Sequence, residues 1–103
     1  QILLLLARIA TSAPSAFGNL LASVHLCHAG ITEVALPGNQ PEMLRELRKR
    51  WLPTVVLAWG EPYDSPLWTD RNQNSAYVCK HYACMKPATS PHELVETLRV
   101  ALA

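Results

Sequence analysis

The chain has 103 residues, 50% of them apolar and 17% charged, and its nine basic residues face eight acidic ones for a net charge of +1. That length suits one domain with a real core, burying roughly 65% of its unfolded surface, and is too short for two ordinary domains. The composition excludes a disordered polyelectrolyte, and the near-neutral charge gives no general attraction to nucleic acid or to an anionic membrane.

Residues 2–10 begin with Ile2-Leu3-Leu4-Leu5-Leu6. The run is far shorter than the ~20 residues of a membrane span. Arg8 interrupts it, and neither an initiator Met nor a basic segment precedes it, so it reads as a core helix rather than a secretory leader. Opening on Gln1 in mid-pattern, the chain reads as part of something longer. Thr11-Ser12-Ala13-Pro14 offers a second helix start, with a capping hydroxyl and a Pro in the first turn. Phe17, Leu20, Leu21, Val24 and Cys27 or His28 then recur at three- and four-residue spacing as one apolar stripe, and Gly30 stops the helix. Residues 1–30 are expected to form a helical hairpin. Its first helix, residues 2–10, is expected to expose apolar surface and favour self-association.

From residue 31 the texture changes. Residues 32–36 read as a short strand ended by Pro37-Gly38. Asn39 or Gln40 then caps a helix with Pro41 in its first turn and Met43, Leu44, Leu47 and Trp51 on one face. Its acids come early and its bases late, which suits the macrodipole. Residues 54–59 form an unbroken apolar run, the mark of a strand covered on both faces. Strand, helix and strand over residues 32–59 make a βαβ unit. Residues 60–75 read as a long polar loop with Leu67-Trp68 as its apolar anchor, and residues 76–79 as a third strand. Ser90-Pro91-His92-Glu93 is a capping box opening a helix whose buried stripe is Leu94, Val95, Leu98, Ala101 and Leu102. The expected fold is α/β: a small, mainly parallel sheet of about three strands with flanking helices over residues 31–103, preceded by the hairpin of residues 1–30.

Candidate chemistry concentrates in Cys79-Lys80-His81-Tyr82-Ala83-Cys84. Lys80 and His81 lend positive character that favours a thiolate. The Cys-x4-Cys spacing is not that of a thioredoxin-type motif, and on one strand the two thiols would face opposite sides unless a turn intervened. Two small buried hydrophobes, a disulfide and a redox pair all fit Cys79 and Cys84. A zinc set of Cys79, His81 and Cys84, completed by His25, Cys27 or His28, lacks knuckle spacing, and no metal site is assigned. His25 and His28 read as flanking the apolar stripe. Arg45, Arg48, Lys49 and Arg50 read as a solvated helix face. Leu36-Pro37-Gly38-Asn39 aims backbone N–H groups at a helix start, but no GxGxxG or GxxxxGK supports a nucleotide. Glu61, Asp64, Asp70 and Glu93 show no pairing that marks acid–base catalysis. No catalytic residue and no cofactor is assigned. Three cysteines make no disulfide framework and suit a reducing compartment, which favours the cytoplasm.

The stretch running from Ala76-Tyr77-Val78-Cys79 through Cys84 and Pro87 to Thr89-Ser90-Pro91-His92-Glu93-Leu94 resembles the closing signature of one family. This is the thioredoxin-domain-containing family that includes spermatogenesis-associated protein 20 and bacterial relatives. Its pattern is AYVC, four residues, Cys, a spacer with Pro, then T-x-P-x-E-L. Ala76, Tyr77, Val78, Cys79, Cys84, Pro87, Pro91, Glu93 and Leu94 fill it here. Ala16-Phe17-Gly18 with Leu20-Leu21, residues 33–38, Trp51-Leu52-Pro53 through Leu57, and Pro66-Leu67-Trp68 are also similar to family segments. Pro37 departs from the family's β-branched strand, so strand 32–36 is expected to be short or an edge. The resemblance implies a thioredoxin-like domain, then a six-hairpin (α/α)6 toroid of the glycosidase and N-acylglucosamine 2-epimerase kind, then a small α/β tail. Residues 1–30 would close the toroid and residues 31–103 would be the tail, partnered by the preceding domains of the same polypeptide. The resemblance places no catalytic residue on this chain. It implies a structural or accessory domain of a parent acting on carbohydrate or thiols. One alternative is a thiol redox role for Cys79 and Cys84 in concert with the thioredoxin-like domain; another is a metal-binding module.

Overall fold

The computed structural model describes residues 2–60 and 68–103, without the Leu3 side chain. The chain divides into two units, Gln1–Gly30 and Ile31–Ala103.

The first unit comprises α1 (Ile2–Ser12), a 3-10 turn (Pro14–Ala16) and α2 (Gly18–Ala29). The hydroxyls that the sequence offers as caps for the second helix work on the first instead. Thr11 Oγ1 donates to the Ala7 and Arg8 carbonyls at 3.0 Å, and Ser12 Oγ donates to the Ile9 carbonyl at 3.0 Å. Serine and threonine compete for backbone in this way at helix ends. Pro14 takes the first position of the 3-10 turn, where its missing N–H costs nothing. Gly30 ends α2 as expected: its N–H donates to the Leu26 carbonyl at 2.9 Å, at a φ of 81°. The apolar stripe predicted on α2 is not a buried one, because none of its side chains is buried. On α1, Ala10 is buried while Ile2, Leu4, Leu5 and Ile9 are exposed.

The second unit comprises β1 (Thr32–Pro37), α3 (Pro41–Arg48), β2 (Val55–Gly60), β3 (Tyr77–Lys80), β4 (Ala83–Cys84) and α4 (Pro91–Ala101). The sheet order is β2-β1-β3-β4. β1 and β2 run parallel, from Thr32↔Val55 to Pro37↔Gly60, as the βαβ reading requires. The expectation of a mainly parallel sheet of about three strands is corrected. β3 pairs antiparallel with β1 and β4 antiparallel with β3, which makes a four-stranded mixed sheet. The missed strand follows a two-residue turn, a connection that only antiparallel strands permit.

Four local expectations also change. β1, expected to be short or an edge, runs over six residues through Pro37 and lies inside the sheet between β2 and β3. β2 is not sandwiched but lies at one edge of the described sheet, with Val56 54% and Trp59 56% exposed. The Arg48 guanidinium lies 5.8 Å from the Trp59 ring centre. α3 ends at Arg48, before the predicted Trp51 contact, and Trp51 is 88% exposed. Leu52 packs against the core in its place. Gln40 sits at the start of α3 without capping it. Its amide donates to the Pro37 and Ser75 carbonyls at 2.7 and 2.9 Å, which ties the β1–α3 turn to the entry of β3.

The core joins Val34, Leu36 and Val78 of the sheet to Met43 and Leu47 of α3 and Leu94, Leu98 and Ala101 of α4. Ala76 and Ala88 exchange backbone hydrogen bonds at 2.7 and 2.9 Å and close the path into α4. The serine half of the capping box forms as read: Ser90 Oγ accepts from the Glu93 N–H at 3.2 Å. The Glu93 carboxylate reaches one residue further back, accepting from Thr89 N–H and Oγ1 at 2.9 and 3.1 Å. Those bonds hold its carboxyl below the usual value. At the other end of α4, Lys80 Nζ donates to the Ala101 carbonyl at 3.1 Å, where a cation suits the helix dipole.

Candidate functional site

Alternation along the strands assigns the two faces of the sheet. Val34 and Val78 are register partners and belong to the core under the helices. The next partners along, Glu33 and Cys79, therefore lie on the opposite face, and Cys79 is also the partner of Cys84 on β4.

The β3–β4 connection is the two-residue turn His81-Tyr82, with φ of 52° and 63°. Both values are left-handed, as a type I′ hairpin turn demands. Asparagine and glycine adopt that conformation readily, whereas each bulkier residue there costs on the order of 1 kcal/mol. The turn places two cysteines five residues apart directly opposite each other, 3.9 Å between Cα atoms, and joined as a disulfide. The bridge excludes two unlinked buried hydrophobes and fits both a structural disulfide and the oxidised form of a redox pair.

The two sulfurs differ in surroundings. Cys79 is buried, at 5% exposure, whereas Cys84 is exposed on β4. Arg71 Nη2 lies 3.6 Å from Cys79 Sγ and 3.9 Å from Cys84 Sγ. The guanidinium is 5.2 Å from the Tyr77 ring centre. Backbone bonds hold the approach to it: Arg71 N–H donates to the Trp68 carbonyl at 3.2 Å, and Asn72 N–H donates to Tyr77 Oη at 2.6 Å. Sequence reading missed Arg71, because a single arginine in a polar loop carries no spacing signal. On the same face a hollow of about 200 Å³ opens between Ile31, Glu33, Ala35, Val56, Ala58 and Arg71.

The motif of residues 76–94 thus divides by role. Ala76, Val78 and Leu94 fill the core, Pro91 and Glu93 start α4, and Tyr77, Cys79 and Cys84 build the site. Pro87 is exposed in the link between β4 and α4. The zinc set does not assemble. The bridge occupies both sulfurs, His81 is exposed on the turn, and no three His, Cys, Asp or Glu side chains converge for a metal ion among the described residues. His25, Cys27 and His28 belong to the unit Gln1–Gly30, where the Cys27 thiol is free and exposed. On α3, Glu46 pairs with Lys49 at 3.1 Å and Arg50 at 2.9 Å, which keeps its carboxyl below the usual value. Glu61, Asp64, Pro66 and the Leu67 half of the loop anchor lie outside the described residues; Trp68 lies inside them and is buried. Among the described residues no helix is long and apolar enough to cross a membrane.

Fold and site together define an α/β unit with helices on one face of a mixed sheet and a cystine on the other. Compared with known protein families, with curated proteins and with solved structures, the chain matches none of them.

Proposed function

We propose that Ile31–Ala103 is an accessory α/β domain of a larger polypeptide and that its Cys79–Cys84 cystine exchanges with a dithiol. The partner dithiol belongs to the thioredoxin-like domain that the C-terminal motif implies. One observation carries this reading: the bridge lies on the face away from the helices, with Cys84 exposed and a guanidinium beside both sulfurs. Exchange converts the cystine and a dithiol into two cysteine thiols and the partner's disulfide, a transfer of two electrons and two protons. The hollow beside the bridge suits an apolar side chain of the partner segment. In a reducing compartment a cystine of this kind is catalytic or redox-sensing rather than a staple.

The bridge is a small part of what holds the fold, and the unit is expected to stay folded without it. It closes a loop of residues only five apart, which in the chain-entropy account adds about 2 kcal/mol, while the core lies under the other face. Incubating the folded Cys27→Ser chain with a reduced thioredoxin-type protein should release two thiols per chain and leave its far-ultraviolet circular dichroism unchanged. A cystine that reacts only after unfolding would reduce the bridge to a structural clip.

The remaining partner surface is α1, whose Ile2, Leu4, Leu5 and Ile9 are exposed. Apolar area of this kind associates in water. Light scattering on the chain should give a mass above the monomer, and the double variant Leu4→Glu, Leu5→Glu should return it to one. A monomeric parent chain would contradict self-association through this helix.

A further inference from the structure

We infer that the exchange is directional: an incoming thiolate attacks Cys84 Sγ, Cys79 departs as the thiolate, and Arg71 is the catalytic residue that stabilises the departing charge. This rests on the exchange reading above.

Three observations converge on it. The first is access, since Cys84 is exposed and Cys79 is buried. The second is the line of attack. A thiolate displaces sulfur from sulfur in line with the bond that breaks. The bridge runs across the strands from β3 to β4, and β4 is the edge strand on that side of the described sheet. The path to Cys84 therefore comes in over the edge of the sheet. The path to Cys79 comes from the opposite side, across β1, where the register partner of Cys79 is Glu33. On that path the side chains of Glu33 and Arg71, which line one hollow over β1 and β2, stand in the way of a thiolate, and none of β1 does on the other. The third is the leaving group. The guanidinium is nearer Cys79 Sγ, at 3.6 Å against 3.9 Å, and Tyr77 and the Trp68 carbonyl hold the residue in place. A cation beside a sulfur favours its thiolate, and a better leaving thiolate departs faster.

The sulfur of a thiolate RS⁻ bonds to Cys84 Sγ, the Cys84–Cys79 bond breaks, and its electron pair goes to Cys79 Sγ beside Arg71. A second thiolate, the other arm of a dithiol, then attacks the R sulfur of the mixed disulfide. The partner's disulfide forms, Cys84 leaves as a thiolate, and both cysteines take protons from solvent.

The test uses the full chain with Cys27→Ser, so that only the bridge reports. After brief exposure to reduced glutathione, acid quench and alkylation, peptide mapping should find the glutathione adduct on Cys84. Adduct chiefly on Cys79 would overturn the direction. Arg71→Gln should slow reduction of the bridge by glutathione about tenfold, the weight of one charge-assisted contact, and shift the glutathione equilibrium toward the disulfide. Arg71→Lys, which keeps the charge, should stay within about threefold of the parent, separating charge from packing. Reduction of Arg71→Gln at the parent rate would remove Arg71 from the step while leaving exchange intact. A bridge that glutathione never opens in the folded chain would overturn exchange and direction together.

Discussion

Leu94→Ala should lower the unfolding free energy of the Ile31–Ala103 unit by about 2–5 kcal/mol, the range for deleting a buried leucine side chain. Leu94 has 0% exposure and belongs to the cluster that joins α4 to Val34, Val78, Met43 and Leu47. The loss has two parts: the transfer of the missing methyl and methylene groups, and the cavity they leave. A unit of this size has roughly 4–10 kcal/mol of stability in all, so the variant approaches the limit of folding. Urea unfolding followed by circular dichroism measures it. A loss below about 1 kcal/mol would mean that α4 does not hold the sheet as described.

Gly38→Val should cost about 2 kcal/mol or more for a different reason. Gly38 follows β1 at a φ of 74°, a conformation that a β-branched residue rarely takes. A Cβ there would also stand 3.0 Å from Gln73 Cβ, a main-branch atom rather than the free end of a side chain. Gly38→Ala should cost less, about 1 kcal/mol, because it has the overlap and the strain without the branch. In thermal unfolding the valine variant should melt roughly 10 °C below the parent. Equal melting temperatures would mean that the β1–α3 turn relaxes to accept a side chain.

Much of the second unit was legible in the sequence because local signals and packing agree there. Ser90 and Pro91 mark the start of α4, the stripe of Leu94, Leu98 and Ala101 marks its buried face, and Pro41 with Met43 and Leu47 marks α3. The parallel β1–β2 pair follows from the helix between them. The rest failed where tertiary structure overrides local preference. The apolar run of β2 suggests two covered faces, yet edge position leaves Val56 and Trp59 exposed. Trp51 fits the stripe of α3, yet the helix ends three residues earlier. β4 stayed hidden because His81-Tyr82 is a poor sequence for a two-residue hairpin turn, although that turn is what brings Cys79 and Cys84 together. The requirement for a turn was readable from the odd spacing of the cysteines; its existence was not. Arg71 was not readable at all, since only the folded loop carries it to the sulfurs.

The same features give the site its character. An exposed Cys84 and a guanidinium beside both sulfurs favour opening the bridge, and the core lies on the far side of the sheet from it. The most direct measurement is a redox titration of the folded Cys27→Ser chain in glutathione buffers of graded ratio, counting thiols by mass after alkylation. The titration should show one reversible two-thiol transition at a potential above about −300 mV, with the circular dichroism of the fold constant throughout. A bridge that stays closed across that range, or opens only as the chain unfolds, would contradict it.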